Sequence, residues 1–115
     1  MPDSPVHVQF FGDSERMFSL TPELIIELER VTATGIGGLC RRMFAGNFAH
    51  REITETIRLA LIGGGEAPED AAALVAVYAA PRPLMEVYPL VVSIFETVMF
   101  GKVGSEVKSI SPEEN

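Results

Sequence analysis

Residues 6–31, VHVQFFGDSERMFSLTPELIIELERV, decide the fold, because the spacing of apolar positions changes partway along them. Val6, Val8 and Phe10 alternate with His7 and Gln9. Gly12-Asp13-Ser14-Glu15 then supplies turn chemistry before Met17, Phe18 and Leu20. Alternation at period two sends successive side chains to opposite faces of a strand. The stretch therefore reads as a β-hairpin over about 6–20, with Val6, Val8, Phe10, Phe18 and Leu20 on one buried face. An isolated hairpin is marginal in water, so this one needs something to pack on. Thr21-Pro22-Glu23 starts a helix: a threonine N-cap, a proline at the first helical position where its missing N–H costs nothing, and an acid near the positive end of the dipole. Leu24, Ile25, Leu28 and Val31 recur at helical spacing opposite Glu23, Glu27 and Arg30, until Thr34-Gly35 breaks the pattern.

Everything beyond this point reads as helix. Ile36, Leu39, Cys40, Met43 and Phe44 form one stripe with Arg41 and Arg42 projecting away from it. Gly46-Asn47 ends that helix, and Phe48 is expected under the loop. A third helix over about 49–62 turns Ile53, Ile57, Ala60 and Leu61 inward, leaves Glu52, Glu55 and Arg58 outside, and stops at Gly63-Gly64-Gly65, read as a cap and linker. Pro68-Glu69-Asp70 opens a fourth, with Ala71, Leu74, Val75 and Tyr78 as its stripe, and Pro81 and Pro83 end it. Leu84 to Phe100 is apolar nearly all round, which reads as either the central buried helix or a partner surface. The expected architecture is α+β in a single domain. A hairpin at 6–20 packs on about four to five helices within 22–100, giving a domain at 6–101 between a flexible N-terminus, 1–5, and a flexible tail, 102–115.

Composition narrows the function. At 115 residues, with 47% hydrophobic and 22% charged, the chain has enough apolar side chain to offset the entropy of ordering one core. Its net charge of −7 would repel a phosphate backbone, so no nucleic-acid partner is expected. Glu86, Glu96 and Pro89 interrupt the final apolar segment, which argues against a membrane span. A lone Cys40 has no partner for an internal disulfide, and MPDSPVHVQFF lacks the basic segment and apolar run of a signal peptide. The expected location is the cytoplasm.

Reactive groups are few. His7, His50 and Cys40 have no ligand-pair spacing, so no metal is expected, and Cys40 on an apolar stripe reads as a small hydrophobe with a raised pKa. Gly35-Ile36-Gly37-Gly38 beside Arg41 and Arg42 has the look of a phosphate cradle. It lacks both the strand and the Gly-Lys-Ser/Thr ending of a P-loop, and the strand, third glycine and later acid of a dinucleotide site. The expectation is no catalytic residue, no cofactor and no enzymatic activity. Arg41, Arg42, Arg51 and Arg58 fall close together in sequence as a local basic patch on an acidic chain.

The order of parts adds a resemblance. Phe18-Ser19-Leu20-Thr21 leads into Ile25-Ile26-Glu27-Leu28-Glu29, and Thr34-Gly35-Ile36 opens Leu39-x-x-Arg42. Gly46, Ile53-x-x-x-Ile57-Arg58-Leu59-Ala60-Leu61 and Gly63-Gly64-Gly65 follow, then Ala71-Ala72-x-Leu74-Val75 and Pro83-Leu84 through Phe100. Over about residues 6–101 this resembles the gene transfer agent family of small phage-like tail proteins, often classed with tail assembly chaperones. The sequence departs from that pattern in a turn, Gly12 to Glu15, that reads as longer than the family's tight one, and in Pro89. The resemblance implies a bacterial tail assembly protein, associated with phage-like particles, that binds the tape-measure or tail tube protein. The alternative is a structural tail tube or ring component, a homo-oligomer assembling through the hairpin edge. A phosphate- or nucleotide-binding regulator built on Gly35 to Arg42 is the lower alternative. The partner-binding candidates are Arg41, Arg42 and Arg58 for charge, and Met85, Tyr88, Phe95, Met99 and Phe100, whose flexible or aromatic side chains suit an adaptable surface.

Overall fold

A computed structural model describes residues 4–101; the tail expected over 102–115 and the first three residues of the expected N-terminal segment lie outside the described residues. Strand β1 (His7–Phe11) pairs antiparallel with strand β2 (Ser14–Phe18), His7 opposite Phe18, Gln9 opposite Arg16 and Phe11 opposite Ser14. The loop is therefore two residues, Gly12-Asp13, and not the longer turn expected, because Ser14 and Glu15 already belong to the ladder. Gly12 has φ +75°, which the first central position of a type II′ turn requires. Tyr78 closes the space above it: a Cβ on Gly12 would stand 2.6 Å from that ring.

This register keeps Phe18 and Leu20 buried as expected but reverses the expected face of β1. Directly opposed residues share a face, so Phe18, pointing inward, takes His7, Gln9 and Phe11 with it and sends Val8, Phe10 and Met17 outward. Phe11 and Phe18 are buried and meet edge to face at 5.8 Å, and Phe11 meets Tyr78 edge to face at 6.0 Å. Val6, Val8 and Phe10, expected in the core, are exposed, Val8 by 53% and Phe10 by 64%. The two-residue turn, and not the apolar count, sets which β1 residues share the face of Phe18, and it selects His7, Gln9 and Phe11 over Val8 and Phe10.

Five helices follow: α1 (Pro22–Thr32), α2 (Ile36–Phe44), α3 (His50–Gly63), α4 (Pro68–Tyr78) and α5 (Leu84–Phe100). Thr21 caps α1, its Oγ1 accepting from the Leu24 N–H at 3.3 Å, and Ala33 ends the helix in the left-handed conformation at φ 57°. Gly35 has no side chain with which to cap α2. Glu29 of α1 does it instead, its carboxylate accepting from the Ile36 N–H at 2.8 Å.

Helix α3 is central and packs against α1, α4, α5 and β2. Around it Leu28, Leu39, Met43, Ile53, Ile57, Leu61, Val91 and Ile94 are buried in one core. The glycines after α3 are more than a cap and linker. Gly63 lies against the Ser19 carbonyl and Gly64 against the Met17 carbonyl, where any Cβ would overlap the oxygen, and the Ser19 N–H donates to the Ala60 carbonyl at 2.9 Å. The outer edge of β2 is thereby sealed against the end of α3. Helix α5 answers both readings made of it. Val87, Leu90, Val91, Ile94, Phe95 and Thr97 face the core, whereas Leu84, Met85, Met99 and Phe100 stay exposed. Pro89 sits in its second turn, where only the Met85 carbonyl loses a helical donor, and the helix runs through it.

Candidate functional site

The arginines expected to form a basic patch are mostly engaged within the fold. Glu52, expected on the outer face of α3, is buried, and Arg42 grips it with two hydrogen bonds, Nη2 to Oε2 at 2.6 Å and Nη1 to Oε1 at 3.2 Å. Glu52 Oε1 also accepts from the Ala49 N–H at 2.9 Å, half of a capping box for a helix whose N-cap residue is an alanine. Arg42 reaches the Asn47 carbonyl as well, so the pair closes the α2–α3 connection. The Arg42 guanidinium and the Ala49 N–H hold the Glu52 carboxyl below the usual carboxylate range, against the opposing pull of burial. Arg58 pairs with Glu55 at 2.6 Å, and Arg51 donates from Nε to the Val31 carbonyl at 3.1 Å. Among the described residues Arg41 and Arg51 have no carboxylate partner, and Arg41 is exposed.

The apolar candidates separate along α5. Met85 in the first turn and Phe100 in the last are 68% and 72% exposed, and Met99 is exposed beside Phe100. At 1.5 Å per residue these two ends stand about 22 Å apart. Phe95 between them is fully buried and belongs to the core. Tyr88 is half-buried; its ring stacks on Phe48 at 5.1 Å and its hydroxyl donates to the Met43 carbonyl at 2.6 Å, which joins α5 to the end of α2.

Two features escaped the sequence reading. The outer face of the hairpin presents Val6, Val8, Phe10 and Met17, all exposed, with Glu15 beside them opposite Phe10. Arg16, on the inner face, bridges Asp13 at 2.8 Å and Glu66 at 2.7 Å, tying the hairpin turn to the segment between α3 and α4. A cleft beside this bridge is walled by Asp70, Leu74, Val77 and Tyr78. The signal for the outer face was present, since Gly at the first of two loop residues fits a II′ turn, and that turn sets the register. Arg16 had no such signal, because Glu66 lies 50 residues away in sequence.

The groups weighed for other chemistry are dispersed. His7 lies on β1, Cys40 is buried on α2, and His50 opens α3 with its Nε2 3.1 Å from the Ala80 carbonyl. Burial pushes the Cys40 thiol up to about 11. The N-terminus of α2, which Gly35 to Gly38 would have offered to a phosphate, already holds the Glu29 carboxylate. Among the described residues no helix is long and apolar enough to cross a membrane.

Residues 5–101 match the sequence model of a family described as phage tail tube protein, GTA-gp10, and the chain belongs to that family. No curated protein and no solved structure matches the chain.

Proposed function

We propose that this member of the phage tail tube protein family is a non-enzymatic tail assembly chaperone, acting in the cytoplasm to hold an apolar segment of the tape-measure or tail tube protein. The observation that carries the reading is the exposure of Met85 and of Met99 with Phe100 at the two ends of a helix whose middle is core. Unbranched methionine and planar phenylalanine adapt to more than one partner shape, and their anchoring on a packed helix keeps the surface from collapsing on itself. Among the described residues Arg41 has no carboxylate partner, which suits it to an acidic stretch of the bound segment, while Arg42 and Arg58 are held by Glu52 and Glu55, Tyr88 stacks on Phe48 and Phe95 is core. The test is co-expression with a tape-measure segment. The expected result is co-purification and a gain in the segment's solubility, with at least a tenfold loss of captured segment in a Met85→Lys, Phe100→Lys double variant that still melts cooperatively. No association with the parent chain would overturn the reading.

A second reading, a structural tail tube or ring component, draws support from the exposed Val6, Val8, Phe10 and Met17 on the outer face of the hairpin. Rings or filaments of the purified chain seen by electron microscopy would favour it over the chaperone reading.

A further inference from the structure

We infer that β1 pairs with β1 of a second copy of this chain, antiparallel and centred on Val8, joining two hairpins into one four-stranded sheet. In a hairpin with a two-residue loop, the pair flanking the loop exchanges hydrogen bonds and the pattern alternates from there. Phe11, Gln9 and His7 thus aim their backbone groups at β2, and Val8 and Phe10 aim theirs away. The same alternation turns the Met17 carbonyl outward on β2, where Gly64 covers it. Among the described residues, nothing hydrogen-bonds to the outward edge of β1 as Gly64 covers β2: no backbone hydrogen bond beyond the β1–β2 ladder involves residues 6–11. Gln9, Phe10 and Phe11 of β1 line a groove of about 390 Å³ together with Arg82, Glu86 and Leu90, so open space lies alongside the strand.

Charge and side-chain order identify the occupant as a second copy. Two chains of net charge −7 repel each other over most of their surfaces, yet residues 4–11, SPVHVQFF, contain no Asp, Glu, Lys or Arg. The edge is where like-charged copies approach with least repulsion, and within β1 it carries none of the lysines or prolines that protect sheet edges. Outward-directed residues must face outward-directed residues, so Val6, Val8 and Phe10 meet their counterparts in the second copy. Centred on Val8, the pairing sets Val8 against Val8 and each Val6 against a Phe10, so every outer-face pair between the two β1 strands is apolar, while Phe10 keeps Glu15 opposite it within each hairpin. The contact uses the same patch on both chains and closes at two. It stands apart from the proposed chaperone role, because it is read on the purified chain alone.

Light scattering of the full chain over a wide concentration range tests the pairing. The expected mass is twice the 12.5 kDa of the chain. Val8→Pro removes an outward N–H without touching the ladder to β2, and should weaken dimerisation at least tenfold with the circular dichroism spectrum retained. A monomer at every concentration, a dimer indifferent to Val8→Pro, or rings and open polymers would overturn the inference. Should Val8→Pro unfold the chain, Val8→Cys decides. Facing residues in such a pair stand about 5.5 Å apart between Cα atoms, within disulfide reach, so mild oxidation should give a crosslinked dimer. Its absence would overturn the inference equally.

Discussion

Gly63 of α3 lies directly against the carbonyl oxygen of Ser19, close enough that the space a Cβ would occupy is already filled by that oxygen. Helix and strand end thus meet backbone to backbone, and the Ser19 N–H completes the contact on the Ala60 carbonyl. Gly63→Ala forces a shift of main chain rather than of a flexible side chain, and should destabilise the fold by at least about 1–3 kcal/mol. Gly37→Ala is the contrast. Nothing lies within 4 Å of the added methyl, and alanine in a helix should gain up to about 1 kcal/mol. Urea unfolding of the two variants should show opposite signs; a Gly63→Ala variant as stable as the parent would mean that the close approach is not there.

The two phenylalanines near the end of α5 should behave differently under the same substitution. Phe95→Ala opens a cavity in a core that holds the side chain at 0% exposure, with an expected cost of about 3–5 kcal/mol. Phe100→Ala removes a ring that solvent already surrounds, and should stay within about 0.5 kcal/mol. Thermal unfolding of the pair checks this directly. Comparable losses would place Phe100 in the core and remove the surface on which the proposed function rests.

Acid should unfold the protein partly through Glu52. Its carboxyl sits below the ordinary value of 4.5, chiefly through the hydrogen bonds from Arg42, so the unfolded chain takes up a proton at a higher pH than the folded one does. The resulting stability is fully present above about 4.5 and is lost as pH falls through the lowered folded value. Asp13 beside Arg16, Glu27 beside Arg30 and Glu86 beside Arg82 are lowered in the same direction, and being more exposed they should contribute less in salt. Glu52→Gln should cost about 2 kcal/mol at neutral pH and flatten the acid limb. An unchanged limb in denaturant titrations from pH 7 to 3 would remove Glu52 from this role.

The Cys40 thiol, buried and raised to about 11, should resist thiol reagents in the native state. Modification at neutral pH should be slow and should accelerate in step with unfolding as urea is added. Fast labelling of the native protein would show that α2 opens far more readily than its packing implies.

Local signals were legible where their cause is local. Thr21-Pro22 and Pro68-Glu69-Asp70 mark the starts of α1 and α4, because a cap and a proline act on the turn that contains them. The inward stripe of α3, Ile53, Ile57, Ala60 and Leu61, was legible from helical spacing alone, since that helix packs on several neighbours at once. Glu52 on the same helix departs from the pattern and is buried. A carboxylate belongs outside unless a partner neutralises it, and its partner Arg42 comes from another helix. The candidate surface was half legible: the length of α5 and its apolar character were plain, but a helix apolar all round carries no mark of which side will be covered.

The sequence by itself determined the α+β class, the order of a hairpin and five helices, and the resemblance to phage-like tail proteins, because period, caps and turn residues act over a few positions of chain. Only the tertiary structure decided which face of the hairpin is buried, that Gly63 and Gly64 admit a strand and not merely a bend, and that Phe95 is core while Met85 and Phe100 are surface. Those outcomes depend on which atoms arrive from distant segments to exclude water from one side, and neither periodicity nor propensity encodes that arrival.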